Sequence, residues 1–177
     1  MCSEEDVRLA QQGHKEAFVR VIKATEGTMY RVAKSILHSE EGVADAIQDT
    51  ILKSYSSITS LREPRFFKTW IIRILINRCH QMLTSDRRFV PLGDWIESVE
   101  EAVSYESVEL QDVLNRLKVD HRVIVTLYYL EDIPINDISE MLQIPAGTVK
   151  SRLSAARKQL VILLRSEGEG RISYDFH

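Results

Sequence analysis

Three sets of polar side chains recur at helical spacing in this chain, and each suits recognition of a charged partner better than bond breaking. Asp45, Gln48, Asp49 and Leu52 fall at i, i+3, i+4 and i+7, so two carboxylates, an amide and a leucine share one helix face. That face is a docking strip for a basic partner. Arg73, Asn77 and Gln81 repeat at every fourth position, with Lys68 and Arg78 nearby. A polar line of this kind meets unpaired bases or phosphates, and Trp70 adds an indole that serves base stacking or a core equally well. Thr148, Lys150, Ser151, Arg152, Ser154, Arg157 and Lys158 form the third set, a small, hydroxylated and cationic helix surface. Small side chains admit close approach to a groove, while Lys and Arg supply phosphate contacts and guanine-edge hydrogen bonds. Taken singly, each set also fits a plain solvated helix face.

Catalysis is not expected. His14, His38, His80, His121 and His177 are scattered, and no nucleophile–base pair or Gly-rich phosphate loop occurs. Cys2 and Cys79 make no ligand pair, and Cys79 beside His80 reads as a buried thiol next to a solvated imidazole, because adjacent helix positions point about 100° apart. The expectation is therefore a protein that is not an enzyme, with no catalytic residue, no metal and no cofactor.

The net charge of −3 argues against a DNA binder until the chain is divided. Acids concentrate in the middle, at Asp94, Glu97, Glu100, Glu101, Glu106 and Glu109, whereas none occurs between Met141 and Ser166, where Lys150, Arg152, Arg157, Lys158 and Arg165 lie. No apolar run reaches the ~18 residues that span a bilayer, and the first ten residues are too acidic for a signal peptide, so a cytoplasmic location is expected.

Positioning these residues takes helices, and the periodicity is helical throughout; only 4 prolines and 7 glycines interrupt it. Residues 5–37 read as two helices with a break near Glu26 and Gly27, followed by helices over 42–57 and 66–83, with a loop at 58–65 between the last two. Residues 86–107 lose the pattern and read as an acidic linker. Helices resume over 108–117, 121–130, 135–142 and 147–164, before a tail at 167–177 expected to be flexible. In the last helix Val149, Leu153, Ala156 and Leu160 form the buried stripe, opposite Ser151, Ser154, Ala155 and Lys158. In the fourth, Ile72, Leu75, Ile76, Cys79, Met82 and Leu83 form the core stripe. The fold class is all-α: two small helical domains, residues 1–86 and 108–166, joined by a linker at 87–107, the second a helix-turn-helix domain.

At this point the residues resemble a family. Ile144-Pro-Ala-Gly-Thr-Val-Lys-Ser-Arg-Leu-Ser-x-Ala-Arg157 is similar to the promoter-reading helix of the extracytoplasmic-function group of bacterial sigma factors, within the sigma-70 family. Asp45-Ala-Ile-Gln-Asp49 with Leu52-Lys-Ser-Tyr55 resembles that family's Asp-x-x-Gln-Glu segment. Phe67-Lys-Thr-Trp-Ile-Ile-Arg-Ile74 with Asn77-Arg78 resembles its Phe-x-Thr-Trp-Leu-x-Arg-Ile segment. The motifs stand in the family's order over roughly residues 5–165.

The resemblance implies a non-catalytic promoter-specificity subunit of RNA polymerase that directs initiation at a stress or envelope regulon. It implies that Asp45, Gln48, Asp49 and Leu52 meet the β′ clamp helices of the core enzyme, with the β flap as a further contact. Lys68, Trp70, Arg73, Asn77, Arg78 and Gln81 would face the minus-10 DNA, with the loop at 57–65 helping to trap a flipped base. Thr148, Lys150, Ser151, Arg152, Ser154, Arg157 and Lys158 would face the minus-35 DNA. It further implies an anti-sigma partner, which can hold the protein near the membrane without membrane insertion, and an acidic linker that threads the RNA-exit path. Four departures stand out: Gln143 where the helix-turn-helix usually carries a left-handed glycine, Pro134 in place of a hydroxyl cap, Lys118 in place of a proline, and Ala155 where many members carry arginine. Gln143 in particular suggests a modified turn.

Overall fold

The computed structural model describes residues 3–86 and 110–172, and every regular element among them is helical. The linker expected at 87–107 lies outside the described residues.

The first unit contains α1 (Glu4–Gln11), α2 (Lys15–Ile36), α3 (Glu40–Ser57) and α4 (Phe67–Asp86), with 3-10 turns at Ile58–Ser60 and Pro64–Phe66 between the last two. Serines open two of these helices: Ser3 Oγ accepts from the Glu5 N–H at 3.2 Å, and Ser39 Oγ from the Gly42 N–H at 3.0 Å. The break in the first helical stretch falls at Gly13, not at Glu26 and Gly27. Gly13 takes φ +95°, a left-handed value that ends α1, while Gly27 lies inside α2. Two glycines compete for one break, and the residue able to reverse the chain between the Val7–Ala10 face and the Ala17–Val21 face ends the helix. At Gly27 a β-carbon would sit 3.3 Å from Arg31 Nη1, so this glycine leaves room for the Arg31 side chain.

The core of the unit is made where α2, α3 and α4 meet, around Met29, Val32, Ile36, Ala46, Ile72, Leu75 and Ile76. The expected stripe of α4 is fully buried at Ile72, Leu75, Ile76 and Cys79 and partly buried at Met82 and Leu83. His80 is half-buried rather than solvated, and burial pushes its imidazole pKa down. Gln11, at the end of α1, donates from Nε2 to the Ile58 and Leu61 carbonyls at 3.2 and 2.6 Å, which pins the loop between α3 and α4 to the first helix.

The second unit contains α5 (Leu110–Asn115), α6 (Val119–Val125) continued by a π turn (Thr126–Leu130), α7 (Ile135–Leu142) and α8 (Ala146–Ile172). The α7–α8 pair is the helix-turn-helix. Gln143 adopts φ 54° and ψ 40°, so the turn keeps its left-handed geometry with a side chain in place of glycine. Ser139 accounts for this: its carbonyl accepts from the Ile144 N–H at 3.1 Å and its hydroxyl donates to the Ile144 carbonyl at 2.6 Å, closing the turn from both sides. Pro134 caps α7 with φ −61° and no side-chain hydrogen bond, as a proline at a helix start can. On α8, Val149, Leu153 and Ala156 are buried as the periodicity predicts. The helix continues to Ile172, six residues into the expected tail, because Gly168 and Gly170 weaken a helix by about 1 kcal/mol each without ending it.

The two units do not keep separate cores. Helix α2 packs against α6 and the π turn, and α4 packs against α7. One apolar cluster runs from Met29, Ile36 and Leu75 through Ile124, Leu127 and Ile138 to Val149 and Leu153. A smaller cluster of Leu114, Leu117, Val125 and Ala156 closes the far side of the second unit.

Two outcomes follow from these positions. Replacing Gln143→Gly removes the penalty of a β-carbon at φ 54° and should stabilise the protein by about 0.5–1 kcal/mol, read as a higher midpoint in thermal unfolding; a lower midpoint would show that the Gln143 side chain contributes packing. Burial pushes the Cys79 thiol up to about 12, so in a Cys2→Ser chain iodoacetamide at neutral pH should label Cys79 only in denaturant.

Candidate nucleic-acid and polymerase interface

Helix α3 carries the acidic strip. Asp45 and Gln48 are exposed, and Leu52 is 63% exposed. Beside it a shallow groove between α2 and α3 is lined by Tyr30, Val43, Ala44, Ile47, Ile51 and Leu52. Tyr30 is held over this groove by its hydroxyl, which donates to the Glu40 carboxylate at 3.2 Å, and Lys34 pairs with the same carboxylate. Sequence spacing leads to Leu52 but not to Tyr30, which lies on a different helix.

Asp49 is turned toward α4. Its Oδ2 accepts from Arg78 Nε at 2.6 Å, so a residue of the acidic strip and a residue of the cationic α4 set hold each other. Both side chains stay partly exposed, which screens the pair and keeps its contribution small. Its geometric effect is to fix the Arg78 guanidinium against α3.

Along α4, Arg73, Asn77 and Gln81 are all exposed and aligned. Trp70 is half-buried, packed against the core with its ring centroid 5.9 Å from that of Phe67. Lys68, at the start of α4, leaves this line: its Nζ donates to the Glu131 backbone carbonyl at 2.8 Å and lies 3.2 Å from the Glu131 carboxylate.

Glu131 therefore belongs to the site although no sequence pattern marks it. It follows the π turn and precedes Asp132, which takes φ 53°, and these two irregularities aim its side chain at the first unit. The carboxylate is 2% exposed and accepts from Thr28 Oγ1 at 2.7 Å and Arg31 Nε at 2.6 Å as well as lying beside Lys68. Burial pushes its pKa up, but the hydrogen bonds from Arg31, Thr28 and Lys68 outweigh burial and hold it below the usual carboxylate range. A second polar tie runs from Arg122 of α6, 1% exposed, to the Ser35 carbonyl at 2.7 Å. Arg122 also donates to the Asn115 carbonyl at 3.2 Å, while its Nη2 has no hydrogen-bond partner, and burial pushes its pKa down.

On α8, Lys150, Ser151, Arg157 and Lys158 are exposed and Ser154 is half-buried; Ser151, Ser154 and Lys158 lie on the side away from Val149 and Leu153, with Lys150 and Arg157 on the flank. Arg152 leans back to Asp120 of α6 at 3.4 Å. Thr148 sits in the first turn with its N–H bonded to the Pro145 carbonyl at 2.8 Å, so this N–H is engaged within the turn and not free for a phosphate. Ser151 donates to the Thr148 carbonyl at 3.0 Å. Among the described residues no cluster of His, Cys, Asp or Glu is arranged to hold a metal ion.

Comparison with known proteins adds to this geometry. The Sigma-70 region 2 family matches residues 21–89, and the Sigma-70 region 4 family matches residues 107–160. The chain is 29% identical over 174 residues to the ECF RNA polymerase sigma-E factor of Haemophilus influenzae, covering 87% of this chain and 90% of that protein. It is 27% identical over 162 residues to the RNA polymerase sigma factor SigV of Bacillus subtilis, covering 89% and 96%. Among solved structures, the sigma factor RpoE of Bartonella quintana in complex with the anti-sigma factor NepR superposes with a TM-score of 0.66 at 27% identity, covering 84% of this chain and 96% of that one. Region 2 falls on α2–α4 and region 4 on the unit that ends in the helix-turn-helix, in the order of the motifs, and the chain belongs to the extracytoplasmic-function group of the sigma-70 family.

Proposed function

We propose that this chain is the promoter-specificity subunit of a bacterial RNA polymerase, acting without catalysis of its own at a stress or envelope regulon. The observation that carries the reading is the pairing, in one chain, of an exposed acidic and apolar strip on α3 with a hydroxylated, cationic outer face on α8. The first suits a basic protein partner and the second a DNA groove.

In this reading Asp45, Gln48, Asp49 and Leu52 dock on the β′ clamp helices of the core enzyme. The exposed line of Arg73, Asn77 and Gln81, with Lys68, Trp70 and Arg78, meets the minus-10 strand. Lys150, Ser151, Ser154, Arg157 and Lys158 read the minus-35 duplex, with Thr148 at the helix start and Arg152 released from Asp120 on binding. The loop pinned by Gln11 stands where a flipped base would be trapped, and such a trap needs a fixed backbone because unstacking costs a few kcal/mol. The Bartonella relative was solved with its anti-sigma factor, and a protein of that kind is the expected antagonist here. No helix among the described residues is long and apolar enough to cross a membrane. The working compartment is the cytoplasm, where core polymerase and promoter DNA are found.

Mixing the protein with core RNA polymerase and a promoter library, then sequencing the run-off transcripts, should reveal core-dependent initiation at a discrete set of starts. Discrete operator shifts by the protein alone, with no core-dependent transcripts, would sink the reading. Asp45 is the residue to reverse, since Asp49 also holds Arg78: Asp45→Lys should weaken core binding at least tenfold while the circular dichroism spectrum is unchanged. On the other surface, Lys150→Gln and Lys158→Gln should each weaken holoenzyme binding to duplex minus-35 DNA almost uniformly across sequences. Each should also lower the salt slope of that binding by about one; an unchanged slope would remove that lysine from the phosphate contacts.

A further inference from the structure

Thr28, Arg31 and Lys68 converge from α2 and α4 on one point, and the group at that point is the carboxylate of Glu131 from the other unit. A hydroxyl at 2.7 Å, a guanidinium N–H at 2.6 Å and an ammonium at 3.2 Å are donors suited to two oxygens of any oxyanion. Gly27 keeps the space that Arg31 needs to reach it. Two cations face one carboxylate, so when the units separate the first unit is left with an unneutralised pair of positive charges beside a hydroxyl. Arg31 and Lys68 are 48% and 41% exposed even with Glu131 in place, so an incoming ligand reaches them from solvent. Lys68 lies in the first turn of the helix that carries the exposed line of Arg73, Asn77 and Gln81, about 140° around its axis from Arg73, so the donor set is on the same helix as that line but on a different face.

We propose that Thr28, Arg31 and Lys68 form a binding site for a backbone phosphate of single-stranded promoter DNA, and that Glu131 fills this site as an internal stand-in while the two units are closed. Only Lys68 belongs to the set that sequence spacing suggests; Thr28 and Arg31 are additional contacts, and Glu131 is an autoinhibitory one. The assignment of the ligand as DNA rests on the promoter reading above. The closed state also carries a counterweight that favours exchange: Arg122 is buried at the same interface with the Ser35 and Asn115 carbonyls as partners and with Nη2 unpartnered among the described residues. Burying a guanidinium in this way is costly, and separation returns it to water.

The test measures binding of a fluorescein-labelled oligothymidine to the full chain by anisotropy over a salt series, with small-angle scattering on the same samples. Glu131→Gln should bind roughly tenfold tighter than the unaltered chain and should have a larger radius of gyration. The double variants Glu131→Gln with Arg31→Gln and Glu131→Gln with Lys68→Gln should each lose that gain, with a salt slope lower by about 0.7. Double variants that bind as tightly as Glu131→Gln would overturn the site, and so would an unchanged affinity for a folded Glu131→Gln. Stabilisation of Glu131→Gln by millimolar inorganic phosphate in thermal unfolding, with no oligothymidine binding at the same ionic strength, would assign the site to free phosphate and overturn the nucleic-acid assignment. Since Glu131 is buried and its variant can fail to fold, Arg31→Gln provides a second route. In holoenzyme it should slow open-complex formation roughly tenfold with the start site unchanged, and an unchanged rate would overturn the proposal. If the unaltered chain supports no core-dependent transcription, the promoter reading fails, while the oligothymidine measurement still decides whether the phosphate site exists.

Discussion

The closed arrangement of this chain depends on one buried carboxylate. Among the described residues Glu131 is the only buried acidic side chain, and its carboxylate is satisfied by donors from the other unit: Thr28, Arg31 and Lys68. A carboxylate at 2% exposure without those donors would face a desolvation penalty of several kcal/mol, so the two units must meet in the one register that supplies them. The apolar cluster that crosses the interface is less demanding, since Ile124, Leu127 and Ile138 can be buried in many orientations. Apolar burial drives the units together, and the Glu131 cluster selects how.

That division explains which features are legible from the sequence. Helix α7 and the buried stripe of α8 follow directly from period-3.6 patterning, because Ile138, Val149, Leu153 and Ala156 face a core within their own unit. The acidic strip on α3 is legible for the same reason, being a matter of spacing on one helix. The Glu131 cluster is not, because its hydrogen bonds to Arg31 and Thr28 span 100 and 103 residues, and no local pattern distinguishes Glu131 from any acid at a helix end. Arg122 is hidden likewise: a lone arginine in an apolar stretch reads as a solvated side chain until α2 supplies the Ser35 carbonyl. Gly13 and Gly27 look alike in sequence, and which of them ends a helix is decided by the packing of α1 and by the room that Arg31 requires.

The same constraint orders the functional surfaces. The α3 strip and the α8 face lie outside the interface, exposed in the closed arrangement, whereas three cations of the candidate sets are engaged: Lys68 by Glu131, Arg78 by Asp49 and Arg152 by Asp120. These engagements differ in depth. The pairs of Arg78 and Arg152 lie within a unit between partly exposed groups, where solvent screens them and a phosphate can displace the carboxylate readily. Lys68 is held across units by a buried acid and a backbone carbonyl, and freeing it requires the interface to part.

A chain of net charge −3 with its cations partly occupied by its own carboxylates has little long-range attraction for DNA. For a free DNA-binding regulator that would be a defect, since phosphate contacts supply most of the affinity. For a subunit that meets DNA only after joining a larger enzyme it is an advantage, because the enzyme contributes the general affinity and the subunit contributes selection. If α3 docks on the core enzyme as proposed, the interface between units is the remaining barrier, and a single-stranded phosphate that replaced Glu131 would couple DNA engagement to separation of the two units. The coupling is reciprocal: whatever holds the units apart raises phosphate affinity, and whatever clamps them together lowers it by the same factor.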